Sequence, residues 1–318
     1  MKLTCNWFLL LRPLLIVIPL ITLGCALGGY RAPGASLAAV LPGWSLHRHN
    51  DGGAAVRWGR SPRTSGAGVA NTHSGLNNGL HNGLAAPLFV FIEGDGRAWR
   101  TRSVRATNPT PHQPVAADLA ALSASLGDTL YLGRPCQFFT DKELAQLPQC
   151  TPTLWTDRRY SREVVTLMSA VLDKALGVQA RPLILVGYSG GGAIAALLSA
   201  RRSDVLGFVT VAANLDVNAW TSYHRVSPFI DAVSPVDYAA VLADIPQYHL
   251  LGTLDTTVPA VVHNAYLSAI NDSAQSKTIV IDGYDHSCCW QQSWLDQLHA
   301  ALAYFNDNGK RDSVPAGG

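Results

Sequence analysis

One stretch limits the fold of this chain more than any other: Pro182 to Arg202, which reads PLILVGYSGGGAIAALLSARR. The apolar residues Leu183 to Val186 predict a buried strand, Gly187 to Gly192 a sharp turn, and the small residues from Ala193 to Ala200 a helix that follows at once. The turn contains G-x-S-x-G, the pattern in which a serine sits on a strained strand-to-helix turn with its hydroxyl pushed clear of the sheet. Gly187 and Gly191 have a steric reason to be glycine, because a Cβ at either would collide where strand and helix cross closely. Such a turn can also cradle a phosphate at a helix N-terminus, but the stretch has neither G-K-[ST] nor G-x-G-x-x-G. Ser189 is therefore the first candidate for chemistry.

The rest of the chain repeats the alternation of strand and helix. LFVFI, from Leu88 to Ile92, suits a strand covered on both faces and ends in Glu93-Gly94-Asp95-Gly96. After it the pattern predicts a helix from Gln113 to Leu126 closed by Gly127, a strand from Thr129 to Leu132, and irregular chain from Cys136 to Thr156. A helix capped by Ser161 and stopped by Gly177 follows. Beyond the central stretch come strands at Phe208 to Ala213, Tyr248 to Gly252 and Lys277 to Asp282, with helices at Pro259 to Ile270 and Trp290 to Phe305. Residues 214–245 hold Trp220, Tyr223, Phe229 and several turn signals, and read as a cap region. Ser45 to Trp58 alternates weakly, as a hairpin does. Residues 59–86 are rich in Gly, Asn, Ser and His and are expected to form a long mobile insert, in which His73 and His81 read as solvated loop residues. The expectation is an α/β fold with a mostly parallel central sheet and helices on both faces, occupying residues 45–306, with a polar tail from Asp307. In such sheets the active groups gather beyond the carboxyl ends of the strands.

Charged residues are only 14% of the chain and no basic run of five occurs, which argues against a nucleic-acid partner. Residues 1–24 stand apart: Lys2 and Arg12 precede an apolar run from Pro13 to Leu23, the outline of a signal peptide, with a tether over residues 25–44. Thr22-Leu23-Gly24-Cys25 resembles a bacterial lipobox, whose cysteine is lipidated, although Thr22 stands where that motif usually has Leu. Simple signal cleavage, an uncleaved anchor and retention in the cytoplasm are the alternatives. The expected location is outside the cytoplasm, held to a membrane by a lipid on Cys25 or by the leader. Without residues 1–24 the chain loses two basic residues and no acidic one, which brings its charges level. An oxidising compartment makes Cys136, Cys150, Cys288 and Cys289 candidates for disulfides. Cys136 with Cys150 would staple a short polar loop, Cys288 with Cys289 would form a vicinal bridge, and free buried thiols are the alternative. No C-x-x-C pair points to a metal.

A serine hydroxyl needs a base to take its proton. His286 follows the strand Lys277 to Asp282 in the loop Gly283-Tyr284-Asp285-His286 and is favoured over His249 in a strand, His263 and His299 on helices, and His224 in the cap region. The imidazole needs a carboxylate to orient it. Asp255, in the loop after the strand Tyr248 to Gly252, fits, with Asp216 and Asp285 as the alternatives. The chain order becomes Ser189, Asp255, His286. An oxyanion would call for two backbone N–H donors, one from Gly190 and one from the loop after the strand Leu88 to Ile92.

From Pro87 to Phe305, about two thirds of its length, the chain resembles the α/β-hydrolase superfamily. Within that span IEGDG, GRPCQ, GYSGGG and GYDHSCCW together are similar to a group of bacterial exported hydrolases. Glu93-Gly94 stands where the superfamily usually has His-Gly, so the resemblance implies that the second oxyanion donor is the N–H of Asp95. An acid replaces the histidine, and Glu93 and Asp95 bring negative charge to the site unless Arg97 or Arg134 offsets it. The resemblance implies an exported serine hydrolase acting on a small acyl substrate, an ester first and a peptide or amide second, by chemistry that needs no cofactor. A binding lipoprotein on the same scaffold, without turnover, is the reading from a different class. Trp99, Trp220, Tyr223 and Phe229 read either as lining of an acyl pocket or as packing.

Overall fold

The computed structural model describes residues 35–50, 52–62, 86–178 and 181–309. Eight strands form one sheet: β1 (Ser45–His49), β2 (Val56–Arg60), β3 (Leu88–Ile92), β4 (Thr129–Leu132), β5 (Leu183–Tyr188), β6 (Val205–Val211), β7 (Gln247–Gly252) and β8 (Ser276–Ile281). Their spatial order is β1-β2-β4-β3-β5-β6-β7-β8. β1 and β2 form the antiparallel hairpin anticipated from their alternation, β2 joins β4 antiparallel, and every later pairing is parallel. Because β4 lies on one side of β3 and β5 on the other, the order of winding reverses there. A crevice therefore opens beyond the carboxyl ends of β3 and β5.

Alternation along each strand divides the core into two layers. Leu88, Val90 and Ile92 of β3 join one buried cluster, while Phe89 and Phe91 join the other. β5 does the same, with Leu183 and Leu185 in the first cluster and Ile184 and Val186 in the second. The longer helices are α1 (Val115–Ser123), α2 (Arg162–Leu176), α3 (Gly190–Ser199), α4 (Val217–His224), α5 (Ala260–Ala269) and α6 (Trp290–Gly309). Buried residues of α2 and α3 complete the first cluster, and those of α1 and α6 the second. α2 begins where Ser161 accepts the N–H of Val164 and ends at Gly177, whose φ of 65° needs no Cβ.

Several boundaries differ from the sequence expectation for identifiable reasons. β6 begins at Val205, three residues before Phe208, because Gly207 continues the strand: a Cβ there would lie 2.8 Å from the Pro246 carbonyl, so the glycine reads as a breaker but serves a close approach. The segment from Cys136 to Thr156 is not wholly irregular. A capping box between Thr140 and Glu143 starts a single helical turn, Asp141–Leu144, and Pro152 opens another, Pro152–Trp155. β2 includes Gly59 and Arg60, expected in the insert, and residues 63–85 with His73 and His81 lie outside the described residues. So do residues 1–34, with the leader and Cys25. Within the stretch expected as a tether, Leu37, Val40 and Leu41 are buried in the second cluster. No helix among the described residues is long and apolar enough to cross a membrane.

Candidate active site

The turn between β5 and α3 has the strain its sequence implied. Ser189 has φ 52° and ψ −124°, a left-handed backbone that costs a side-chain-bearing residue on the order of 1–3 kcal/mol. Packing enforces it. A Cβ on Gly187 would run into the backbone of Gly191, and one on Gly191 would run into the carbonyls of Ile92 and Glu93 at the end of β3. The helix can thus start directly beneath the serine.

Two loops bring side chains to Ser189. His286 Nε2 lies 3.0 Å from Ser189 Oγ, and His286 Nδ1 lies 2.9 Å from Asp255 Oδ2. With the buried Asp255 carboxylate accepting from Nδ1–H, Nε2 is left to accept the serine proton. The other oxygen, Oδ1, accepts the N–H groups of Thr257 and Val258, each at 2.8 Å, which fixes the carboxylate's orientation. The carbonyl of His286 accepts from the Tyr188 hydroxyl and from Trp290 Nε1, both at 3.0 Å. Neither Tyr188 nor Trp290 was marked in the sequence, since a tyrosine inside G-x-S-x-G and a tryptophan opening a helix both read as packing.

The competing residues are engaged elsewhere. Asp285 folds back to accept the N–H groups of Ser287 and Cys288, and those bonds hold its carboxyl below the usual range. Asp216 caps α4 through the N–H groups of Asn218 and Ala219. His249 bonds Thr210 inside the sheet, and burial pushes its imidazole well below the ordinary value. His263 bonds Thr278, with its imidazole lowered to about 4 by burial. The ring of His224 donates to the Thr257 carbonyl.

The loop after β3 passes against the serine: a Cβ on Gly94 would lie 3.2 Å from Ser189 Cβ. A Cβ on Gly190 would strike the Asp95 carboxylate and the Tyr160 hydroxyl, so residues 95 and 190 are neighbours beside Ser189. The negative charge expected of this loop is offset by Arg134, one of the two arginines anticipated, and by Arg159, which was not. Asp95 pairs with Arg134 Nη1 and Arg159 Nε, each at 3.0 Å, and accepts the Tyr160 hydroxyl at 2.6 Å. Arg97 takes no part among the described residues. Gln137 Nε2 donates to the Gly94 carbonyl at 2.9 Å, so with the Arg134–Asp95 pair GRPCQ supplies two anchors of the loop, and Arg134 Nη2 also donates to the Arg159 carbonyl. Arg159 and Tyr160 gave no sequence signal of their own. Glu93 is turned inward. It accepts the N–H groups of Gly94, Ala116 and Ala117 and the Tyr131 hydroxyl, and its burial raises the carboxyl to about 7.

A cavity of about 480 Å³ opens over Ser189 and His286. Trp99 and Trp220 line it, whereas Phe229 packs on Tyr160 and Trp220, and Tyr223 is largely exposed beside His224. Trp220 Nε1 donates to the Thr257 carbonyl at 2.8 Å, tying α4 of the cap region to the Asp255 loop. Cys136 and Cys150 are paired, with Cα atoms 5.6 Å apart, and the sulfurs of Cys288 and Cys289 are also in contact. Among the described residues no group of His, Cys, Asp and Glu is gathered to hold a metal.

No protein-family model matches the sequence, and no curated protein matches it. Solved structures do. Est1E from Butyrivibrio proteoclasticus is similar at TM-score 0.52 and 13% identity, over 83% of this chain and 99% of that one. An acylaminoacyl peptidase from Pyrococcus horikoshii is similar at TM-score 0.54 and 11% identity, over 86% of this chain but only 42% of its own. A thermostable esterase is similar at TM-score 0.51 and 13% identity, over 85% of this chain and 64% of that one. The chain thus spans about two fifths of the peptidase's length. At these identities the likeness concerns the fold, and together with the sheet order and the winding reversal at β3 it identifies the chain as having the α/β-hydrolase fold.

Proposed function

We propose that the chain is an exported serine hydrolase that cleaves a carboxylic ester through an acyl-enzyme. The observation that carries this reading is the pair of contacts at His286, 3.0 Å to Ser189 Oγ and 2.9 Å to Asp255. In this reading His286 Nε2 takes the hydroxyl proton as Ser189 Oγ attacks the acyl carbon. Asp255 holds the tautomer and offsets the imidazolium charge. The N–H groups of Gly190 and Asp95 receive the oxyanion. The proton passes from Nε2 to the leaving alcohol, and water repeats the sequence to release the acid. Pairing of Asp95 with Arg134 and Arg159 removes the main objection to an oxyanion here, which favours catalysis over a scaffold that only binds.

A fluorophosphonate probe reacts with an activated serine. Wild type is expected to label and Ser189→Ala to lose the label; an unlabelled wild type, or equal labelling of both, sinks the reading. The likeness to an acylaminoacyl peptidase supports amide cleavage as the second reading, which a 4-nitroanilide substrate separates from an ester. Export and membrane attachment through Cys25 rest on the leader and the lipobox-like TLGC. Recovery of a Cys25→Ser variant in the membrane fraction to the same extent as wild type counts against lipidation.

A further inference from the structure

Of two cations at the cavity, Arg97 has no role in the proposed chemistry and Arg159 has one only through its pairing with Asp95. Arg97, part-buried on the loop after β3, lines the cavity. Its backbone N–H donates to the Pro109 carbonyl at 3.0 Å, while its guanidinium has no partner among the described residues. Arg159 lines the same cavity with a side chain only 7% exposed. Its Nε pairs with Asp95, and its Cζ lies 4.3 Å from the centre of the Phe229 ring and 5.2 Å from that of Trp220. These contacts fix the guanidinium and leave its two terminal nitrogens without an acceptor among the described residues. Asp95 is shared between Arg134 and Arg159, so one positive charge of that group is uncompensated before Arg97 is counted.

The nearby carboxylates do not absorb that charge. Both oxygens of Asp255 are taken, by His286 and by two backbone N–H groups. Glu93 is buried and its two oxygens already accept from four donors. A guanidinium presents a planar fork of N–H donors that matches a carboxylate, and the match is stronger where water is partly excluded. A neutral ester would bury these donors against carbon.

Resting on the hydrolase reading, we propose that the substrate is an ester carrying a carboxylate, received by the guanidinium of Arg97 with Arg159 beside it. Arg97 is thus a specificity-determining residue. Two pairs of esters test the assignment: mono-4-nitrophenyl adipate against 4-nitrophenyl hexanoate, with the charge on the acyl half, and 3-carboxypropyl butyrate against butyl butyrate, with the charge on the alcohol half. Wild type is expected to prefer the charged member of at least one pair by about tenfold in kcat/KM, as a charge-assisted contact implies. The preference shrinks as salt is added, as expected of an attraction between a charged substrate and the part-buried Arg97. Arg97→Gln brings the ratio toward one, and Arg97→Lys keeps most of it. No preference in either pair, or a preference that survives Arg97→Gln, overturns the proposal. A second measurement separates it from the hydrolase reading. Ser189→Ala is titrated with monomethyl adipate and with methyl hexanoate, followed by fluorescence of Trp99 and Trp220. Tighter binding of the charged ester, with no turnover by wild type, keeps the carboxylate site and removes the hydrolase; turnover without a charge preference does the reverse.

Discussion

Burial governs the charge of Glu93. Its carboxyl is raised from an ordinary 4.5 to about 7, desolvation outweighing four hydrogen bonds that favour the ionised form. A carboxyl raised in the folded state binds its proton more tightly there than when unfolded, so its stabilising effect is complete below 4.5 and is lost as the pH rises through about 7. The shift corresponds to on the order of 3 kcal/mol. Urea unfolding at pH 5 and pH 7.5 is expected to show wild type losing stability over this interval relative to Glu93→Gln, which has no proton to release. The variant should be less stable than wild type at pH 5, since a glutamine NH₂ would face backbone N–H groups that need an acceptor. Equal pH slopes in the two proteins would show that Glu93 is not held protonated. The inward turn of Glu93 was not legible in the sequence, where IEGDG shows two acids near the site and nothing of the N–H groups of Ala116 and Ala117 that receive one of them. Ser189 could be singled out because its motif is local, and His286 and Asp255 because each lies in the loop that follows an expected strand.

At the scale of elements, the close crossing of β5, α3 and the end of β3 is the joint on which the site depends. Gly191 is one of its tight points, since any Cβ there meets the carbonyl groups of Ile92 and Glu93 at the end of β3, and backbone cannot step aside as the end of a flexible side chain can. Gly191→Ala is expected to cost about 2–4 kcal/mol through overpacking and backbone displacement. The measurement is the urea midpoint, with Gly283→Ala as the comparison, whose Cβ would meet nothing within 4 Å and whose cost comes only from its φ of 74°. A Gly191→Ala protein as stable as wild type would mean that α3 does not press on β3. Strands were readable where burial on both faces makes an unbroken apolar run, as in LFVFI. They were misjudged where a glycine sits inside one, as at Gly207 in β6. The single turns Asp141–Leu144 and Pro152–Trp155 did have a signal, the T-x-x-E capping box and the proline, which is too short to register as hydrophobic periodicity.

Across the whole molecule, the sequence pointed to the strand ends that carry Ser189, Asp255 and His286 but not to the other distant segments that meet beside them. Ser189 and His286 are 97 residues apart, and they meet although β5 and β8 are not neighbours in the sheet, because the loop after β8 carries His286 back to the turn after β5. The salt-linked group at Asp95 draws on three separate stretches, around residues 95, 134 and 159, with no common pattern to announce it. The Cys136–Cys150 pair bears on that group, because Arg134 and Gln137 flank Cys136 and hold Asp95 and the Gly94 carbonyl. Closing a loop with a sequence separation of 14 removes entropy from the unfolded chain worth about 3 kcal/mol. The bond therefore has two separable effects, one on global stability and one on the loop that supplies the Asp95 N–H. Reduction, or Cys150→Ala, which leaves Cys136 beside its neighbours, is expected to lower the unfolding free energy measured in urea by that amount. It should also lower kcat on a 4-nitrophenyl ester, with little change in KM, at temperatures where the reduced protein is still folded. A fall in stability with kcat intact would make the bond a staple only, and no change in either would mean that Cys136 and Cys150 remain thiols in solution.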